Sequence, residues 1–264
     1  MARGNLRKMT VQLGDEVQYT LNLDQKVDMN AFIGTEVRLE WNGIINCSAC
    51  NKVTKKSFGQ GFCYTCFVSA PESAECILRP ELCRAHLGEG RDPEWEEKHH
   101  NKPHVVYLAA SSAVKVGITR ADQVPVRWID QGASSAIRLA ETENRFEAGR
   151  IEVALKAFFT DKTNWQRMLK NELDTSIDLE EEKWSLEEHL PADIVTCFSE
   201  NDEIIEINYP VDEYPTKVKS RSFDKTPVIE GVLVGIKGQY LIFDGGEVLN
   251  IRKHTSYHIE ISSC

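Results

Sequence analysis

The sequence lacks any long run of apolar residues. Its longest apolar runs are far too short to cross a bilayer. The first sixteen residues, MARGNLRKMTVQLGDE, contain basic side chains but no apolar stretch typical of a signal peptide. Internal repeats and low-complexity tracts are also missing. We therefore expect a soluble, cytoplasmic protein with no membrane partner. At 264 residues, 41% of them hydrophobic, the chain can bury a sizeable core divided between two or three small domains.

Basic residues are scarce in only one part of the chain. The formal net charge of −10 would by itself argue against a polyanionic partner. However, residues 171–213 (the acidic block) carry 15 Asp or Glu against Lys183 alone. This is a local charge of −14, which leaves +4 for the rest of the chain. The electrostatic argument against nucleic acid thus applies only to the acidic block, whose simplest role is that of a solvated face.

Cysteines are concentrated in one short region. Six of the eight lie within residues 47–83, in an otherwise ordinary cytosolic composition, which favours metal binding over disulfides. The pairs Cys47-x2-Cys50 and Cys63-x2-Cys66 can each direct two thiolates at one ion, and two facing pairs complete a tetrahedral site. A redox role for the pairs is the alternative. Because four thiolates leave no position for substrate, we predict a structural zinc ion here.

A second group of potential ligands follows. Cys83-x2-His86 has ligand-like spacing, and Cys76 is close enough in sequence to join it. The fourth ligand can come from one of three later histidines, of which the first two are favoured because the third opens the next predicted strand. These are His99, His100 and His104. The pattern predicts a second structural zinc ion; otherwise Cys76 and Cys83 are buried apolar thiols.

The loop around the first cysteine pairs is both basic and aromatic. Three lysines lie near four aromatic residues: Lys52, Lys55 and Lys56, with Phe58, Phe62, Tyr64 and Phe67. Such a mixture can hold phosphates and stack bases. In the alternative interpretation, the aromatic rings pack a small core around the zinc ion and the lysines only keep it soluble.

The hydrophobic pattern divides the chain into five segments and predicts an α+β fold. The segments are a β segment (1–46), a zinc-binding region (47–103), an α/β domain (104–171), an acidic helical linker (172–203) and a second β segment (204–264). Alternating apolar residues predict strands in both terminal segments, which we expect to share one β unit. Gly238 suits a hairpin turn. A helix is predicted to open at Ser185, where Glu188 completes a capping box.

Residues 104–164 combine strand and helix patterns. Residues 105–109 and 114–118 predict two strands of a hairpin, and Pro125 suits the first turn of a helix that carries Arg127. A longer helix is predicted over residues 143–159. It places Arg145, Ala148, Gly149, Glu152 and Lys156 on one stripe, and the two small residues would let a substrate or metal approach Glu152.

A short helix is predicted to close this segment. Thr163 and Gln166 form a capping box, which would place Asn164 in the first helical turn.

This order of residues resembles the GIY-YIG nuclease superfamily. Tyr107 matches the last residue of its first motif, Gly117 the last residue of its second, and Arg127 lies ten residues further on. Glu152 matches the metal-binding glutamate of its helix, and Asn164 its terminal asparagine. The resemblance implies a small α/β nuclease-like domain and phosphodiester hydrolysis that depends on Mg²⁺ or Mn²⁺.

The resemblance also implies roles for these residues. A divalent ion on Glu152 would act as a Lewis acid, Arg127 would neutralise transition-state charge, and Tyr107 would orient or deprotonate the attacking water. The sequence departs from the pattern at Lys115, which replaces the tyrosine that opens the second motif. A protonated lysine can only donate hydrogen bonds and attract phosphate.

Over most of its length the sequence is also similar to a bacterial family known as domain of unknown function 2797. The similarity includes the cysteine pairs, residues 80–83, 106–109, 127–133 and 161–165. We therefore expect a zinc-ribbon-guided endonuclease that acts on nucleic acid, with DNA favoured over RNA. Besides the lysines, Arg145 is a candidate to contact the nucleic acid. The alternatives are a non-catalytic nucleic-acid-binding protein that keeps the fold, and an adaptor whose acidic block binds a basic partner.

Overall fold

The computed structural model describes residues 1–159, 164–174 and 176–263. These residues form fourteen strands and six α-helices, a mixture that confirms the α+β class. The strands are β1 (Ala2–Asn5), β2 (Thr10–Gln12), β3 (Gln18–Asn22), β4 (Lys26–Asp28), β5 (Glu36–Ile45), β6 (His104–Ala110), β7 (Val114–Arg120), β8 (Ser135–Thr142), β9 (Ile204–Glu206), β10 (Lys219–Arg221), β11 (Val228–Lys237), β12 (Tyr240–Phe243), β13 (Glu247–Asn250) and β14 (Tyr257–Ser263).

All six helices are short. They are α1 (Tyr64–Ser69), α2 (Pro93–His99), α3 (Val126–Asp130), α4 (Arg145–Leu155), α5 (Trp165–Leu169) and α6 (Leu179–Ser185). Asp92 and Asn144 cap the first turns of α2 and α4 by accepting hydrogen bonds from backbone N–H groups. Within the described ranges, none of these helices has the length and apolar content that a bilayer span requires.

The chain forms two compact units. Unit 1 comprises Met1–Val68, Ile129–Gly132 and Ile207–Cys264, and unit 2 comprises Ser69–Trp128 and Ala133–Glu206. The predicted zinc-binding region is thus divided between them, with the first cysteine pairs in unit 1 and the later ligands in unit 2. The predicted α/β domain and acidic linker both belong mainly to unit 2.

Unit 1 is a β structure built from both ends of the chain. Its larger sheet has the order β1-β14-β5-β11-β12-β13-β10, and β2, β3 and β4 form a second sheet. Strand β5 pairs with both β11 and β14, which confirms that the two terminal segments share one β unit. The predicted hairpin joins β11 to β12 at Gly238, whose φ of 62° suits a tight turn.

Unit 2 contains an antiparallel sheet of order β7-β6-β8-β9. Strand β6 is central, and its residues from His104 to Ala109 are buried, as expected for a strand covered on both faces. One face, with Val106 and Leu108, packs in a single core with Ile151 and Leu155 of α4. Helix α4 is shorter at both ends than predicted, because it begins after the Asn144 cap and ends at Leu155.

The acidic block contains a packed helix, and the predicted position of that helix is wrong. Helix α6 begins after Asp178, whose carboxylate accepts hydrogen bonds from the N–H groups of Glu180 and Glu181, and it ends at Ser185, where it was predicted to begin. The Asp178 cap satisfies the first helical donors before Ser185 is reached. Leu179, Leu186 and Leu190 join the core of unit 2, while the glutamates face solvent. The segment is therefore more than a linker.

Candidate metal centres and a cationic cluster

The four cysteines of the first two pairs lie together in unit 1. The sulfur atoms of Cys47, Cys50, Cys63 and Cys66 are all within 4.8 Å of one another. The first pair follows the end of β5, and the second begins with the residue before α1 and ends inside that helix. Four thiols at this spacing can hold one tetrahedral zinc ion, as the sequence predicts.

The backbone around Cys47 is arranged to stabilise a thiolate. Burial raises the pKa of the Cys47 thiol, but backbone N–H groups of Cys50, Cys63 and Ala49 donate to it and bring its pKa to about 6. The two cysteine loops are tied together by a hydrogen bond from the N–H of Ser48 to the carbonyl oxygen of Gly61. Because zinc binds the thiolate form, these donors fit a metal site.

The structure of the basic and aromatic loop is compatible with a small aromatic core around the zinc ion and also with a surface that binds nucleic acid. The ring of Phe58 contacts those of Tyr64 and Phe67, with centroids 5.5 and 6.0 Å apart, so the aromatic residues do pack together. Tyr64 nevertheless remains 64% exposed. The three lysines are also exposed, and Lys56 lies over the Phe58 ring at 5.4 Å. A role for Lys52, Lys55 and Lys56 in binding nucleic acid remains a prediction.

A second cluster of potential ligands lies inside unit 2. It consists of Cys76, Cys83, Glu96 and His100, all buried, with one ligand atom of each within 4.8 Å of the others. Three of these positions were predicted, and Glu96 was missed. The sequence feature that could have identified Glu96 is its spacing from His100. The two residues are four positions apart, which places both on one face of α2.

The structure differs from the prediction at His86 and His99, which lie outside this cluster. The ring of His86 stacks on Phe146 at 4.6 Å. His99 donates from Nδ1 to the carbonyl oxygen of Trp95 and stacks on its indole ring at 4.1 Å. His86 follows Cys83 by three residues, but its side chain packs against α4, and the buried carboxylate of Glu96 is the fourth member of the cluster instead.

The two residues that the sequence resemblance assigns to the ends of the GIY and YIG motifs face each other across β6 and β7. Tyr107 pairs with Gly117, and two residues further along Ala109 pairs with Lys115. Tyr107 and Lys115 therefore point to the same face of the sheet. Tyr107 is fully buried and its ring lies 5.8 Å from that of Trp128. This burial favours an anchoring role for Tyr107 over direct contact with water.

Arg127 lies within electrostatic range of two other cations of unit 2. Burial and the charge of Arg127 lower the pKa of Lys115 to about 8. Burial also lowers the pKa of Arg145, and Arg127 contributes to this shift, while Glu152 opposes it. We refer to Lys115, Arg127 and Arg145 as the cationic cluster. Glu152 is half-buried on α4, and its negative charge acts on Arg145.

Arg145 is held by hydrogen bonds to the protein. Its Nε donates to the carbonyl oxygen of Cys76 at 3.1 Å, and a terminal nitrogen donates to that of Ile77 at 2.9 Å. The side chain lies on the same helix as Glu152, two turns earlier. A role in binding nucleic acid remains a prediction for Arg145, but two of its donors are already used.

The small residues of α4 do not leave space beside Glu152. A β-carbon added to Gly149 would be 2.4 Å from the backbone nitrogen of Glu81 and 2.5 Å from the carbonyl carbon of Pro80. Gly149 therefore accommodates the 3-10 turn Pro80–Leu82. The prediction that Ala148 and Gly149 open a path to Glu152 is wrong, because the sequence does not reveal which distant segment packs there.

Asn164 has a local structural role. Its side-chain oxygen accepts hydrogen bonds from the N–H groups of Gln166 and Arg167, so Asn164 is the N-cap of α5 and does not lie in its first turn. Thr163, the other residue of the predicted capping box, lies outside the described residues, as do residues 161 and 162.

These features define a mixed α/β protein with two cysteine-containing candidate metal centres and a cationic cluster beside one carboxylate. The chain belongs to the family described as Protein of unknown function (DUF2797), whose profile matches residues 34–259. Comparison with curated proteins and with solved structures gave no match.

Proposed function

We propose that unit 2 binds nucleic acid and cleaves its phosphodiester bonds in a metal-dependent reaction of the GIY-YIG type, with DNA favoured over RNA. The observation that carries this proposal is the cationic cluster. Burial lowers the pKa of both Lys115 and Arg145, and the positive charge of Arg127 lowers each of them further. Among residues 1–159, 164–174 and 176–263, neither Lys115 nor Arg127 makes an ion pair. Like charges gathered in this way repel one another, and a bound phosphate would relieve the repulsion.

The order of elements around the cluster supports the same proposal. Tyr107 and Lys115 lie on the paired strands β6 and β7, Arg127 lies on α3 and Glu152 on α4. The GIY-YIG resemblance implies this order of elements: two strands, a helix with an arginine, a third strand and a helix with a glutamate.

Each residue has a chemical task in the proposed reaction. Glu152 would hold Mg²⁺ or Mn²⁺, which supplies Lewis-acid stabilisation of the leaving oxygen when bound. Arg127 would neutralise the charge that develops on the phosphoryl oxygens. With a pKa of about 8, Lys115 is partly neutral near physiological pH and can accept a proton from the attacking water. Lys115 would thereby replace the tyrosine of the second motif in this role.

Unit 1 would supply sequence-independent affinity. The exposed Lys52, Lys55 and Lys56 lie beside the four-cysteine site, whose zinc ion would hold their loop in one conformation. Together with the exposed ring of Tyr64, they provide the charge and the stacking surface used by proteins that bind single strands.

Non-catalytic binding of nucleic acid is the second candidate function. It is favoured by the full burial of Tyr107 and by Lys115, which departs from the nuclease motif. In that case the cationic cluster would hold a phosphate without turnover.

A cleavage screen distinguishes the two functions. Linear, branched and single-stranded DNA and RNA are incubated with the full chain in Mg²⁺ or Mn²⁺, and with EDTA as the control. We expect cleavage in the divalent ions only, with Arg127→Ala about 100- to 1,000-fold slower because transition-state charge loses a partner. Binding with no cleavage of any of these substrates would instead support the second function.

A further inference from the structure

We propose that Cys76, Cys83, Glu96 and His100 form a second zinc centre, and that this centre fixes Arg145 and the start of α4. The inference does not depend on the proposed nuclease activity. It rests on the burial of the four groups, on their charges and on hydrogen bonds that connect them to Arg145.

The four side chains come from two segments that the fold brings together inside unit 2. The two cysteines lie in the 3-10 turn Glu75–Ile77 and directly after the turn Pro80–Leu82. Glu96 belongs to α2 and His100 caps its end. The Cys76 sulfur lies 4.0 Å from His100 Nδ1, and an oxygen of the Glu96 carboxylate lies beside the same nitrogen. Two sulfurs, one nitrogen and one carboxylate oxygen are a complete ligand set for tetrahedral zinc.

Burial makes this arrangement costly without a cation. Glu96 is 2% exposed, and each of the other three groups is less than 10% exposed. Moving a carboxylate out of water costs several kcal/mol unless it is paired. Two thiolates and a carboxylate together carry three negative charges. A zinc ion offsets two of them, and the third is offset by the guanidinium of Arg145, which donates a hydrogen bond to the carbonyl oxygen of Cys76.

The same segments hold Arg145 from both sides. Its guanidinium donates to the carbonyl oxygens of Cys76 and Ile77, and its backbone N–H donates to the carbonyl oxygen of His100 at 2.9 Å. Arg145 is the first residue of α4. One turn later, Gly149 packs against the backbone of Pro80 and Glu81, between the two cysteines. A metal that joins the four ligands would therefore fix the first two turns of α4.

The two sulfur ligands favour zinc as the bound metal. Thiolates favour zinc over Mg²⁺ or Ca²⁺, which prefer oxygen ligands. Four protein ligands leave no open position, so this centre would be structural.

X-ray absorption of the wild-type protein tests the ligand set without any substitution. The four-cysteine site contributes sulfur only, whereas the second site contributes equal numbers of sulfur and lighter ligands. We expect about two zinc ions per chain, with an average of about three sulfur and one nitrogen or oxygen ligand per zinc. A single zinc ion per chain with sulfur ligands alone would overturn the proposal.

Variants test the identity of the ligands. Cys83→Ser and Glu96→Gln should each lower the zinc content by about one ion per chain or weaken retention of that ion against a chelator. His86→Ala and His99→Ala remove histidines outside the cluster and should keep both ions. Loss of an ion in His86→Ala with retention in Glu96→Gln would overturn the assignment. If Cys83→Ser does not fold, the comparison of Glu96→Gln with His86→Ala still decides it.

Hydrogen exchange tests the effect on α4. When a chelator removes the second ion from the full chain, amide protection over residues 145–149 should fall, because both supports of Arg145 loosen. Unchanged protection in this region after the ion has gone would show that the metal does not fix the helix.

Discussion

The hydroxyl group of Tyr107 lies directly over Gly117, its partner across β6 and β7. A β-carbon added to Gly117 would be 2.7 Å from that oxygen and 2.8 Å from the ring carbon that bears it. The glycine is therefore required for space and not for an unusual backbone conformation. The pair joins the two strands at the positions that the sequence resemblance assigns to the ends of the two nuclease motifs.

Gly117→Ala should destabilise unit 2. The added methyl group has to displace a buried ring, and overpacking of this kind typically costs about 1–3 kcal/mol. Urea unfolding measures the loss. As the matched control, the same substitution in a Tyr107→Leu background should cost clearly less, because the phenol is gone. Equal losses in both backgrounds would show that Tyr107 is not the cause.

Binding of nucleic acid should weaken as the pH rises through about 8. Burial and Arg127 lower the pKa of Lys115 to about 8, so its amine is charged and attracts phosphate below that pH and is neutral above it. Fluorescence anisotropy with a DNA oligonucleotide in EDTA, from pH 7 to 9, measures the effect. Lys115→Arg should remove this fall, because arginine stays charged.

Lys156→Arg is the control for that titration. Lys156 is exposed directly after the end of α4, and its replacement should leave the pH dependence as in the wild type. A fall in affinity of the same size in Lys115→Arg would mean that a different group titrates.

The four-cysteine site should hold a zinc ion that orders its loops. Cys50→Ser with Cys63→Ser should remove about one ion per chain and increase hydrogen exchange over residues 47–63, because a thiolate zinc site folds the peptide around it. Cys197→Ser, outside both clusters, should keep the wild-type zinc content. Elemental analysis that finds no zinc in the purified wild-type protein would contradict this account of the cysteines.

Local patterns predicted much of the fold. Strands β5, β11 and β14 follow from an alternation of apolar and polar residues that is visible in the sequence. The turn at Gly238 follows from a single glycine, which is visible there too. The two Cys-x2-Cys pairs were recognised for the same reason. In each case the residues that determine the structure lie within a few positions of one another.

The parts that were missed depend on packing between distant segments. Glu96 is one of three acidic residues in α2, and only the packing of that helix against the cysteine turns distinguishes it. Gly149 looked like an opening beside Glu152, but residues 80–81 fill that space. Helix α6 was misplaced because Asp178 and the Ser185 position offer competing caps, and the burial of Leu179 and Leu186 decides between them.

The acidic block should take no part in binding nucleic acid. Replacement of five exposed glutamates by glutamine should leave affinity unchanged or increase it, because repulsion is removed. The five are Glu180, Glu181, Glu182, Glu187 and Glu188.

The lysines of unit 1 provide the comparison for the acidic block. Substitution of Lys52, Lys55 and Lys56 by glutamine should weaken binding and reduce the slope of log affinity against log salt by about 0.9 for each phosphate that is no longer neutralised. If the variant with five glutamates of the acidic block replaced keeps its fold but binds nucleic acid clearly more weakly, the acidic block belongs to the binding site.

The most direct test of the proposed function is to compare cleavage and binding in Glu152→Gln. The substitution keeps the shape of the side chain and removes the charge that would hold the divalent ion. Glu147→Gln, on the same helix, is the matched control. We expect cleavage in Mg²⁺ or Mn²⁺ to fall by orders of magnitude in Glu152→Gln and to stay near wild type in Glu147→Gln, while both variants bind the substrate with similar affinity. Wild-type turnover that persists unchanged in Glu152→Gln would contradict the assignment of this site.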